Sequence, residues 1–299
     1  MQLTFNVAKF LYRIDFKDAE APYKQLIPTH APFLQREKVD DENIVFTVSV
    51  ETGSVATTLE GLEMVGEFDC GNCLHAVARL AEGGYRMLIH NVDGEMAAAF
   101  ESDATFQHCR VAPLGSLRNQ RFGLDNSIMI AFAFATAYHK ALLMHSSVPV
   151  KDGRGYLFQG KSGTGKSTHC ELWLKHIADT ERINDDNPVV RIMDDGTPWV
   201  FGSPWSGKTP IYKQVGYPIG GFLRLHQAPH NKIRKMTKIE SFASILSSCS
   251  TMIWDKPSYF AICDTISLVA QSVGSFDLEC LPDKDAALLS YTTMSQDHE

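Results

Sequence analysis

The chain is short of the features that mark several large functional classes. It has no long basic tract and carries a net charge of −7, which argues against nucleic acid as a partner. Met1 to Phe10 alternates like a strand and has no apolar signal core, so no secretory leader is expected. The longest apolar stretch, Ile128 to Met144, is interrupted by Thr136, Tyr138, His139 and Lys140 and reads as a buried helix instead of a membrane span. Seven cysteines in 299 residues do not make a disulfide framework, and reduced thiols in a cytoplasmic protein are expected. What remains, 44% apolar and 21% charged residues, is the composition of an ordinary globular protein with a real core.

One motif stands out against that background. Gly160, Lys161, Ser162, Gly163, Thr164, Gly165, Lys166 and Ser167 match the spacing of a phosphate-binding loop in full, with Thr168 next in line. The run Gly155 to Phe158 reads as a buried strand entering it, and Ser167 to Ile177 as a helix leaving it, with Cys170, Leu174 and Ile177 on one face. Glycines let the backbone turn left-handed and bring N–H groups up to phosphate oxygens, and the helix N-terminus adds partial positive charge. Lys166 is the expected cation for the β- and γ-phosphates, and the Ser167 hydroxyl the expected ligand for Mg²⁺.

The organisation predicted around the loop is α/β. Residues 1–120 read as a strand-rich domain, with candidate strands Leu3–Val7, Ile44–Val50, Tyr85–Ile89 and Met96–Phe100, and a hairpin turn at Asp93-Gly94. The segment Pro113 to Gly123 reads as a linker, and residues 121–299 as a phosphate-loop domain with a mixed sheet. That domain is predicted to open with a helix from about Asn126 to Leu142, capped by Asp125 or Asn126. A glycine hairpin at 151–155 precedes the loop. Helices over about 239–253 and 258–273, a strand at 276–281 and a short last helix complete it.

The stretch Leu143-Met144-His145-Ser146-Ser147, the loop Gly160–Ser167 and Asn184-Asp185-Asp186 resemble the HPr kinase/phosphorylase family and its phosphoenolpyruvate carboxykinase-like relatives. The segment Phe201-Gly202-Ser203-Pro204-Trp205-Ser206-Gly207 is similar to a Gly-Thr-Pro-Trp segment of uncharacterised relatives. The resemblance covers about Asp125 to Leu281. It lacks the glutamate and arginine signature of the bifunctional enzymes, and neither the carboxykinase substrate arginines nor its full Mn²⁺ ligand set can be placed. It therefore implies kinase-type chemistry. ATP, another nucleoside triphosphate or pyrophosphate would be the donor, Mg²⁺ the metal, and a hydroxyl of a protein or small molecule the acceptor. The resemblance assigns Asp185 as acid/base and Asp186 with Ser167 to the metal, and His145 either to the transferring phosphate or to adjusting the acidic pair; the two aspartate roles could be exchanged. Homo-oligomers are implied by the rings that related kinases form. A nucleotide-binding regulator without transfer activity is the reading from a different class.

Other candidates are weaker. Asp194-Asp195-Gly196 reads as a hairpin turn between strands. Cys70-Gly71-Asn72-Cys73, His75, His108 and Cys109 invite a zinc reading but do not supply two close ligand pairs. Lys208 and Arg224 could serve a transition state or be ordinary surface cations, the latter being favoured, and His139 reads as structural.

Overall fold

The computed structural model describes residues 1–18, 23–69, 73–207 and 209–298. It is a mixed α/β chain that divides into two compact units, Met1–His139 and Lys140–Glu299. Among the described residues no helix is long and apolar enough to cross a membrane.

The first unit contains β1 (Gln2–Val7), β2 (Phe10–Phe16), a single helical turn α1 (Tyr23–Leu26), β3 (Ile44–Val50), β4 (Glu63–Asp69), β5 (Leu74–Arg79), β6 (Tyr85–His90), β7 (Met96–Ser102), β8 (His108–Pro113) and α2 (Leu117–Ala137). Its eight strands form one sheet in the order β1-β2-β3-β8-β7-β6-β5-β4, parallel at β2–β3 and β3–β8 and antiparallel elsewhere. Alternation along β2 and β3 points Tyr12, Ile14, Phe46 and Val48 inward, all essentially without exposed surface. Phe132 of α2 meets the rings of Phe10, Tyr12 and Phe46 edge-on, and Tyr12 stacks on Phe46 at 4.8 Å. Such ring pairs add about 0.5–1.5 kcal/mol each beyond the area they bury.

Helix α2 corrects the predicted linker and the predicted boundary near residue 120. It starts at Leu117, capped by the Ser116 side chain accepting from the Asn119 N–H, and packs on the sheet of the first unit. Gly123 reads as a breaker in the sequence, yet it lies inside the helix. A Cβ there would stand 2.4 Å from the Ala97 carbonyl oxygen and 2.7 Å from the Ala98 Cβ, so glycine is what lets α2 approach β7.

The second unit runs β9 (Ala141–Leu143), β10 (Ser146–Lys151), β11 (Arg154–Gln159), α3 (Lys166–His176), β12 (Glu181–Asp186), β13 (Val189–Ile192), β14 (Pro198–Phe201), β15 (Gly216–Gln227), β16 (Lys232–Lys235), α4 (Lys238–Leu246), α5 (Lys256–Ser272), β17 (Ser275–Cys280) and α6 (Lys284–Ser295). These nine strands make a mixed sheet, β12-β10-β11-β15-β14-β13-β9, with β17 pairing β15 and β16. Strand β15 forks the sheet. Its first residues, Gly216–Pro218, bond β14, while Phe222–Gln227 run parallel to β17, and β11 lies along the other edge. Tyr156, Phe158, Leu223 and Leu225 pack with Cys170 and Trp173 of α3 and Met294 of α6. Trp173 closes this core, 5.1 Å from the rings of both Tyr156 and Phe158, its indole N–H donated to Ser290 Oγ.

Helix α4 opens with a reciprocal capping box between Thr237 and Glu240 but ends at Leu246, short of the predicted 253. Serine hydroxyls compete with helical bonding here, and the backbone beyond Leu246 is taken by the segment around β9. Ser248 O accepts from the His145 N–H at 2.7 Å, and the Ser250 N–H donates to Leu143 O at 2.9 Å. The Asp194-Asp195-Gly196 segment is the turn of the β13–β14 hairpin, with Gly196 at φ 84° and the Asp195 carboxylate accepting from the Thr197 N–H.

Candidate functional site

The site begins at the β10–β11 hairpin. Asp152 and Gly153 both have positive φ, 51° and 70°, the geometry of a tight two-residue turn whose twist matches the strands. Buried β11 then delivers the chain to Gly160, which takes φ 147°. A Cβ at Gly160 would lie 2.5 Å from Thr164 Oγ1. The loop tightens on itself through the Thr164 N–H and hydroxyl, both donated to Lys161 O. Gly165, at φ 101°, precedes α3 without any side-chain cap, so the amides of the first turn keep no side-chain acceptor. Ser162, Ser167 and Thr168 are exposed on this loop and turn.

Lys166 is folded back over the loop, its Nζ donating to Gly160 O at 3.0 Å and Lys161 O at 3.3 Å. Burial lowers its pKa; Asp186 and then Asp185 pull it up, and Arg224 pushes it down. The lysine therefore stands within electrostatic reach of both aspartates and the arginine.

Strand β12 carries the acidic pair to the same end of the sheet. The register with β10 pairs Ser146 with Asp186, Ser147 with Asp185 and Val148 with Asn184, but Pro149 with Arg182, so Ile183 is an extra residue. This bulge reverses the alternation and brings Arg182 and Asp185 to one face. Arg182 Nη1 donates to Asp185 Oδ2 at 3.0 Å, Nη2 reaches Glu171 Oε1 on α3, and Thr209 Oγ1 donates to Asp185 Oδ2 at 2.9 Å. The Asp185 side chain is only 2% exposed, and its Oδ1 is buried without a hydrogen bond among the described residues. Cys170 lies against this network, and burial pushes its thiol up to about 12.

Asp186 has the other environment. Its side chain is 32% exposed, and Oδ1 lies 2.9 Å from His145 Nδ1. His145 is 47% exposed and hangs just before β10, fixed by its own backbone bond to Ser248. The carboxamide of Asn184 orders the neighbourhood, accepting from the Asp186 N–H and donating to Ser203 Oγ and Trp205 O. The segment Phe201–Gly207 thus folds against the acidic pair, and a Cβ on Gly207 would sit 3.3 Å from both Asp185 O and Asp186 Cβ.

The structure therefore brings Lys166, His145, Asp185, Asp186 and the loop Gly160–Ser167 to one end of the second unit. Arg224, read as a surface cation, is half-buried and bonded to Ser244 of α4 and to Ser247 just beyond it. Lys208 lies outside the described residues. His139 packs its ring on Phe10 in the first unit. Of the zinc candidates, Cys70, Gly71 and Asn72 lie outside the described residues, Cys73 Sγ is 3.7 Å from His75 Nε2, and Cys109 is buried with its thiol donated to Phe106 O. The sequence reading did not single out Arg182, Glu171 or Thr209, because a bulge and two separate elements assemble them.

No family model matches this sequence, and no curated protein matches it. Among solved structures, the chain is similar to the HPr(Ser) kinase/phosphatase from Coxiella burnetii, at 13% identity over 52% of this chain and 89% of that chain, with a TM-score of 0.30. At that level the likeness carries no functional weight.

Proposed function

We propose that this chain is a Mg²⁺-assisted phosphotransferase that moves the terminal phosphoryl group of a nucleoside triphosphate, ATP in the first instance, to a hydroxyl of a protein or small molecule. The observation that carries this reading is the glycine loop with Lys166 at the end of the sheet that also holds the His145–Asp186 pair. A binding loop alone would support only a nucleotide switch; a loop facing an oriented imidazole and carboxylate has the parts for transfer.

The residues present fit a hard divalent cation. Ser167 and the aspartates offer oxygen donors, and Asp185 Oδ1 is a buried carboxylate oxygen with an unused acceptor. Mg²⁺ commonly takes one or two carboxylates and the rest of its ligands from phosphate and water, which the oxygen donors here would supply in part. Bound there, Mg²⁺ would neutralise charge on the phosphates.

The loop amides would bind the β- and γ-phosphate oxygens, and Lys166 would exchange Gly160 O and Lys161 O for them. The acceptor oxygen forms its bond to the γ-phosphorus as the bond to the bridging oxygen breaks, and that electron pair leaves on the diphosphate. The acceptor proton passes to the His145 imidazole, whose Nδ1 lies 2.9 Å from Asp186 Oδ1, so that the carboxylate would orient the ring. This distribution exchanges the roles expected from the sequence. Asp185, covered and occupied by Arg182 and Thr209, is the better group for the metal side, and Asp186 for the proton side.

The test is thermal unfolding of wild type and Lys166→Ala with Mg²⁺ and ATP, ADP, GTP or pyrophosphate. A ligand at about a hundred times its Kd adds roughly 2.7 kcal/mol, several degrees of melting temperature. A Mg²⁺-dependent shift lost in the variant is expected, and the ligand that gives it identifies the donor. No shift with any of the four would overturn the proposal.

A further inference from the structure

Arg224 plays no part in the function argued so far, and none of its hydrogen bonds goes to a carboxylate. It pairs with Gln159 in the parallel register of β11 and β15, one residue before Gly160. Gln159 and Arg224 follow Phe158 and Leu223, which enter the core under α3, so they point to the opposite face, where Ser244 of α4 bonds both of them. Arg224 Nε donates to Ser244 Oγ at 2.8 Å, and Nη2 to Ser244 O at 2.9 Å, to Ser247 Oγ and to Ser248 Oγ at 3.4 Å. Every one of these partners is neutral. Arg13, Arg86, Arg110, Arg182 and Arg234 each bond a carboxylate. Asp277 attracts Arg224 electrostatically but is itself hydrogen-bonded by Arg234 and lies 2.7 Å from His226 Nε2.

A half-buried guanidinium answered only by hydroxyls and a carbonyl keeps its charge available. Its Nη1 makes no hydrogen bond among the described residues. The position faces the site: Ser248, which accepts from Arg224 through Oγ, also holds the His145 N–H through its carbonyl, and His145 holds Asp186. Arg224, Ser248, His145 and Asp186 thus form one line of contacts, and Lys166 is within electrostatic reach of its two ends, Arg224 and Asp186.

We infer that Arg224 is a further catalytic residue, its Nη1 contacting the terminal phosphoryl group during transfer while its serine partners clamp the rest of the guanidinium. The inference rests on the phosphotransferase reading. As the acceptor–phosphorus bond forms and the bond to the diphosphate breaks, negative charge spreads over the three outer phosphoryl oxygens. Lys166 meets that charge from the loop side and Arg224 from the side of β15 and α4.

The full chain with Mg²⁺ and ADP, with and without aluminium fluoride as a mimic of the phosphoryl group in flight, provides the test. Calorimetry on wild type, Arg224→Gln and Arg224→Lys gives each affinity. Wild type should bind ADP at least about a hundredfold more tightly with the fluoride, as transition-state analogues do. Arg224→Gln should bind ADP like wild type but lose most of that tightening, and Arg224→Lys should recover part of it. Wild-type tightening in Arg224→Gln would overturn the inference. So would loss of ADP binding together with a lowered melting temperature in both variants, because the arginine would then be structural. Wild type that binds no ADP at all would overturn the phosphotransferase reading itself.

Discussion

Asp185 and Asp186 are neighbours in sequence and meet opposite surroundings because Ile183 is one residue too many for the β10–β12 register. The pair could be found from its spacing after the loop lysine. Which carboxylate is buried could not, since nothing local to Glu181-Arg182-Ile183 announces a bulge, and Glu171 and Thr209 come from elsewhere. The difference has a measurable outcome. Asp185→Asn leaves the buried Arg182 with only the exposed Glu171 as a counter-charge and should cost about 3 kcal/mol, the lower end for breaking a buried pair. Asp186→Asn breaks a half-exposed contact, so its cost should stay under about 1 kcal/mol while transfer is lost. Urea midpoints of the two variants check this, and equal destabilisation would contradict the geometry.

At the scale of elements, the turns were the most legible part. Asp93-Gly94, Asp152-Gly153 and Asp195-Gly196 each join antiparallel strands, because a left-handed glycine turn is a local demand that the sequence states openly. Helix α2 was misplaced for the same reason in reverse. Gly123 reads as a break in the sequence, whereas it serves a contact with β7 that lies in another part of the chain. Gly123→Ala separates the two accounts. Helix propensity alone would stabilise the variant by about 1 kcal/mol. A Cβ driven against the Ala97 backbone should instead destabilise it by about 1–3 kcal/mol, lowering the denaturant midpoint. A midpoint at or above wild type would sink the close-approach argument.

For the whole molecule, strand content was readable but strand order was not. The parallel pairs β3–β8 and β11–β15 bring together residues some sixty positions apart, and hydrophobic alternation carries no address. The same burial leaves a global signature in acid. Burial lowers His30 to about 3, and His75 and His169 to about 4, from an ordinary 6.5. The folded state keeps these rings neutral, while the unfolded chain takes up protons as pH drops through 6.5. Their stabilising contribution is complete above that value and disappears progressively toward pH 4 and below. Each tenfold difference in proton affinity is worth about 1.4 kcal/mol. The melting temperature should therefore already fall between pH 7 and pH 5, above the range where carboxylates titrate. A flat or rising profile over that interval would mean that the three imidazoles are not held neutral.

The fork at β15 also bears on the order in which the site can be put together. His145, just before β10, the glycine loop after β11 and the acidic pair at the end of β12 follow one another along the chain, joined by short connections. Closing short loops costs little chain entropy. Arg224 and its serine partners belong to a later stretch, and they reach the loop only once β15 has laid itself along β11. A chain emerging from the ribosome thus presents its phosphate cradle before its second cation, and β15 is the strand whose docking joins the two.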